Sequence, residues 1–135
     1  MGGSENLFSM TKLYVLFPGL MAPIGLMAYT ATLLNNTRIL YIGGRHGSIT
    51  TISYLLLDKL PMYNIDDNTW SIVSTSGNIP FPRYDHGTVF IPQYNQILII
   101  YGYPDISITS IMALDALKFV WLSIPTISNT DLFSK

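Results

Sequence analysis

Two histidines, His46 and His86, and one adjacent carboxylate pair, Asp66-Asp67, are the side chains on which metal or acid–base chemistry would have to be built in this chain. They do not suffice. The absence of cysteine excludes thiolate zinc sites, disulfides and a cysteine nucleophile. Paired carboxylates suit hard cations, but neighbours on a turn aim their side chains apart, and Asp66-Asp67-Asn68 reads as a turn whose side chains bond to nearby backbone. No Gly-rich phosphate loop precedes a helix, no serine sits in a nucleophile elbow, and no carboxylate pair is tied to a recognisable sugar site. Hence no catalytic residue, metal ligand or cofactor is assigned. What remains is binding. Tyrosine and arginine combine broad contact area with directional donors and dominate interface hot spots. The chain gathers Arg45, His46 and Tyr54 in one connection, Phe81, Arg83 and Tyr84 in a second, and Tyr103 and Asp105 in a third.

The elements that position those connections are written twice. Laid over itself without a gap, the stretch 28–44 matches 86–102, with Thr30/Thr88, Ile39/Ile97, Leu40/Leu98, Ile42/Ile100 and Gly44/Gly102 superposed. In a second register, Tyr63 to Trp70 lies over Leu114 to Trp121, so the first copy carries seven more residues between its Gly and its Trp. Insertions of that kind belong in loops. A period near ~50 residues made of short strands is the signature of propeller blades, each a sheet that must stack on a neighbour to bury its faces.

The strands follow from local chemistry. Tyr29 to Leu34 and Arg38 to Ile42 flank the turn formers Asn35-Asn36-Thr37 and stop at Gly43-Gly44, which predicts a hairpin. Leu55-Leu56-Leu57 is expected to start a strand before Pro61, and Met62 to Ile65 with Trp70 to Ser74 form a second hairpin across Asp66-Asp67-Asn68. The crossing over Ser76 to Arg83 is expected to be irregular, because Pro80 and Pro82 remove ladder donors. The second copy repeats the order with His86 to Ile91, Gln96 to Tyr101, Ile111 to Asp115 and Val120 to Ile124. No stretch of twelve residues shows a capped 3.6-residue period, so essentially no helix is expected.

Composition narrows the class. Only 11% of the residues are charged against 49% apolar, where an average soluble domain carries about 25% charged residues; much of the surface therefore expects a partner. A net charge of −1 with no basic run excludes a nucleic-acid footprint. Residues 13–28 contain an uncharged apolar run, which raises a signal peptide or membrane anchor. Pro18, Gly19, Pro23 and Gly25 interrupt it, so a degenerate strand is favoured and membrane association is not. Asn35 heads a glycosylation sequon. Neither a cytoplasmic nor a secreted location is fixed.

A strand pair ending in Tyr41-Ile42-Gly43-Gly44, then Tyr63-Asn64 reaching to Trp70, then Arg83 to His86 before the next pair, resembles the kelch repeat. It is most similar to fungal kelch proteins labelled as similar to the galactose oxidase central domain, and the resemblance covers about residues 28–125. It implies an all-β chain, a partial propeller of two four-stranded antiparallel blades: an N-terminal tail and apolar segment at 1–27, a blade at 28–75, an inter-blade crossing at 76–85, a second blade at 86–125 and a C-terminal tail at 126–135. Gly43, Gly44, Tyr63, Trp70, His86, Gly102 and Trp121 become structural repeat residues, the tryptophans filling the seam between sheets. Departures are Tyr101 for the first Gly, Leu114 for Tyr63, and Ala28 where His86 stands later. The copper-radical chemistry of galactose oxidase needs a Tyr cross-linked to a Cys and two His ligands, which the residues here do not supply. The implied function is a non-catalytic module, a piece of a larger propeller, that grips a protein or peptide on the face where the long loops and the crossing emerge. The alternative is a piece of a secreted or membrane-tethered carbohydrate-acting protein with its catalytic residues elsewhere. Two open blades also predict self-association.

Overall fold

The computed structural model describes residues 25–47, 50–103 and 111–124. Among these residues there are eleven strands and no helix. The first sheet is antiparallel and runs β1 (Thr30–Leu34), β2 (Arg38–Ile42), β5 (Lys59–Asn64), β6 (Thr69–Ser74) from one edge to the other. The seven extra residues of the first copy fall where a small hairpin, β3 (Arg45–Gly47) with β4 (Ile52–Tyr54), rises from the connection between β2 and β5. In the second sheet the order is β8 (Gly87–Ile91), β9 (Gln96–Ile100), β10 (Ile111–Asp115), β11 (Val120–Ser123), again antiparallel between chain neighbours.

Two expectations about the strands are corrected. Leu57 and Asp58 form a turn, and β5 starts at Lys59 and runs through Pro61. Proline is accommodated there because the ladder from β2 to β5 stops at Leu40–Met62, so no donor is required of Pro61 on that side. The crossing is not wholly irregular either. Ser76–Gly77 forms β7, which lies parallel to β11 and makes the second sheet five-stranded.

The registers also correct the gapless superposition. Thr30 pairs with Ile42, but Ile100, the counterpart of Ile42, pairs with Gly87 and not with Thr88. The turn from β1 to β2 is thus one residue shorter than the turn from β8 to β9, and the Thr30/Thr88 coincidence is out of step by one. Such a slip exchanges the two faces of a strand. The true counterpart of His86 is accordingly Tyr29, not Ala28: a Cβ on Gly44 would meet the Tyr29 Cβ and the Met27 carbonyl, as one on Gly102 would meet the His86 Cβ and the Tyr84 carbonyl.

The sheets stack face to face. Leu34, Leu40, Ile42 and Leu60 from the first meet Ile97, Ile99, Leu114 and Trp121 from the second in one buried cluster, with Phe90 and Met112 packed against it. Trp121 is 1% exposed, and its indole N–H donates across the seam to the Leu57 carbonyl at 3.1 Å and lies 3.0 Å from the Thr75 hydroxyl. Trp70 plays a different part. It lies on the far face of the first sheet between Tyr41 and Tyr63, each ring centroid 5.1 Å away, so only one of the two tryptophans wedges between these sheets.

Candidate functional site: an arginine–tyrosine stack on the loop face

The turns from β1 to β2 and from β5 to β6 occupy one end of the first sheet, so the connection from β2 to β5 and the departure of β6 occupy the other. The same alternation in the second sheet sends the residues after β9 to that end. These three pieces of chain and the segment before β1 therefore meet there, and backbone bonds tie them together. Arg45 and Met27 exchange two hydrogen bonds of 2.9 Å, Tyr84 and Tyr103 exchange two of 2.8 Å, and the Gly44 N–H donates to the Arg83 carbonyl at 2.8 Å.

Gly43 is what permits the last contact. It has φ +65, and a Cβ there would stand 2.5 Å from the Arg83 carbonyl oxygen and 2.5 Å from His86 Cε1. The crossing thus lies directly on the end of β2, and its next residue, Tyr84, is delivered to the base of the β3–β4 hairpin. The Tyr54 and Tyr84 rings stack with centroids 5.7 Å apart and planes 6° from parallel. Tyr103 continues the stack on Tyr84 at 6.0 Å and 28°. Arg45, paired with Tyr54 across the hairpin, places its guanidinium carbon 5.3 Å from the centre of the Tyr84 ring, within the distance at which a cation is held by the ring quadrupole.

Four of the eight binding candidates named from the sequence, Arg45, Tyr54, Tyr84 and Tyr103, are thereby brought together. Tyr103 is 58% exposed and forms the open end of the stack. His46 is half-buried in β3 opposite Ser53, and Phe81 is exposed on the crossing. Asp105 lies outside the described residues. Arg83 is corrected: at 1% exposure it cannot reach a partner, and its guanidinium instead donates to the Tyr101 carbonyl at 3.2 Å. It is a residue of the seam.

His86 belongs to the seam as well. Its Nε2 lies 2.8 Å from the Thr30 hydroxyl of the first sheet. Burial, with the Arg83 guanidinium second, holds the imidazole down at about 4, so the ring is neutral near pH 7. Among the described residues no group of three or more His, Cys, Asp or Glu is placed to hold a metal ion. Leu57 and Thr75, which receive the Trp121 indole, carried no signal in the sequence beyond an apolar run and a turn; only the stacking of the sheets reveals them.

No known protein-family profile matches this chain, and no curated protein is detectably similar to it.

Proposed function

We propose that the chain is a kelch-type β-propeller segment of two blades that acts as a non-catalytic interaction module, taking a protein or peptide ligand on its loop face. The all-β order, rising from β1 to β6 in the first sheet and from β8 to β11 in the second, supports the blade reading, as does the crossing that leaves the β6 edge, adds β7 beside β11 and then enters β8 at the opposite edge of the second sheet. The observation that carries the binding reading is the stack of Tyr54, Tyr84 and Tyr103 with Arg45 over it. Stacking holds these rings in place before any ligand arrives, which reduces the ordering cost of binding. The exposed Tyr103 ring offers an apolar face with a hydroxyl at its tip, the chemistry of an interface anchor.

The test is selection of peptides from a displayed random library on the immobilised chain, followed by titration of the selected peptides against Tyr103→Ala. Removing a hot-spot side chain costs about 2 kcal/mol or more, so affinity is expected to fall about thirtyfold. A library that yields no binders, or binders indifferent to Tyr103→Ala, would overturn the reading.

A further inference from the structure

The outward face of the first sheet carries Leu33, Ile39, Tyr41, Tyr63, Trp70 and Ile72, placed together by the cross-strand pairs Leu33–Ile39, Ile39–Tyr63 and Tyr63–Trp70 and by Ile72 opposite Pro61. Lys59, opposite Ser74 at one end of β5, is the charged side chain that the register adds to this face, and Leu33 and Ile72 are 48% and 38% exposed. The repeat registers show what this face corresponds to. Leu33, Ile39, Tyr41, Tyr63 and Trp70 stand where Phe90, Ile97, Ile99, Leu114 and Trp121 stand in the second sheet, and those five press against the first sheet, while Ile72 stands where Ser123 does at the rim. The outward face of the second sheet corresponds in turn to the inner face of the first: Val89, Leu98, Ala113 and Leu122 take the places of Thr32, Leu40, Met62 and Ser71. It is at least as apolar, with Val89 49% and Ile111 40% exposed. One chain therefore presents both halves of the contact that already holds its two sheets together, one half at each end.

We infer that the outward face of the first sheet is a docking site for the outward face of the second sheet of another copy of this chain. The contact is heterologous, head to tail, and each copy added exposes the same pair of faces again. Closure of such a stack into a ring rests on the propeller reading, which asks for about four to eight blades and hence for two to four copies.

Two variants separate this inference from general stickiness. Leu33→Lys places a charge on the first face alone and Val89→Lys on the second alone, both at exposed positions; Ile72→Lys and Ile111→Lys repeat the pair on other strands should circular dichroism show either of the first two unfolded. By light scattering coupled to gel filtration, the parent chain is expected as a complex of two to four copies, each variant alone as a monomer, and the equimolar mixture of the two as a one-to-one dimer, because each retains the half the other has lost. A monomeric parent chain, or variants that remain monomeric when mixed, would overturn the docking site. Complementation accompanied by open-ended growth of the parent chain would support the docking site and discard ring closure, and with it the propeller reading.

Discussion

Left-handed backbone recurs at matched places in the two copies even where the residues no longer suit it. Gly43 at φ 65 is answered by Tyr101 at φ 58, Asn68 at 56 by Phe119 at 55, and Ala28 at 56 by Asp85 at 53. Glycine and asparagine tolerate this conformation; a residue with an ordinary Cβ loses roughly 1–2 kcal/mol in it. The backbone is thus better preserved between the copies than the residues that would make it comfortable. Tyr101 is 64% exposed, so its ring contributes little packing, and Tyr101→Gly is expected to stabilise the chain by about 0.5–1 kcal/mol after the extra chain entropy of glycine is counted. Ala28→Gly should act in the same direction and by a similar amount. Thermal melts of both variants decide this, with a rise in Tm expected for each. The sequence announced the loss of Gly at Tyr101 through the broken repeat, but it gave no sign that the chain still turns there in the same way.

At the scale of elements, the hairpins were legible and the tie between sheets was not. Asn35-Asn36-Thr37 and Asp66-Asp67-Asn68 turn where their side chains permit, and the apolar runs on either side pair as alternation predicts. The one-residue difference between the two inner hairpins escaped a gapless comparison, because matching residue types cannot report which face a side chain takes. β7 escaped for another reason: Ser76-Gly77 has no strand propensity, and what makes it a strand is a partner far along the chain. Gly77 has φ +84, and a Cβ on it would stand 2.5 Å from the Trp121 carbonyl oxygen, which accepts the Asn78 N–H at 3.2 Å. Gly77→Ala is therefore expected to cost about 2 kcal/mol or more and to push β7 off β11. Amide exchange should quicken at Ser76 and Asn78 while the paired amides of β8, β9 and β10 keep their protection. Uniform loss of protection across the second sheet would show instead that β7 is integral to it.

For the molecule as a whole, the contact between sheets is what acid should attack first. His86 is 7% exposed at that contact, and its folded value of about 4 lies below the unfolded value of about 6.5. Between those two values the unfolded chain binds the proton and the folded chain does not, so stability falls as pH drops from about 6.5 to about 4, by at most about 3 kcal/mol. Denaturant midpoints measured across that range should show the slope, and His86→Gln should flatten it. The aromatic and arginine residues of the loop face are all legible in the sequence, but the burial of Arg83 is not. A charged residue beside Phe81 and Tyr84 reads as surface until the crossing is seen to lie on Gly43. The parallel pairing of β7 with β11 has one more consequence. β7 follows the first sheet directly, yet its ladder partner among the described residues, β11, comes only after β8, β9 and β10 in the chain. During synthesis Ser76-Gly77 must wait unpaired until Trp121 has emerged, and a nascent chain stopped before Val120 lacks the ladder that fastens the crossing along that edge.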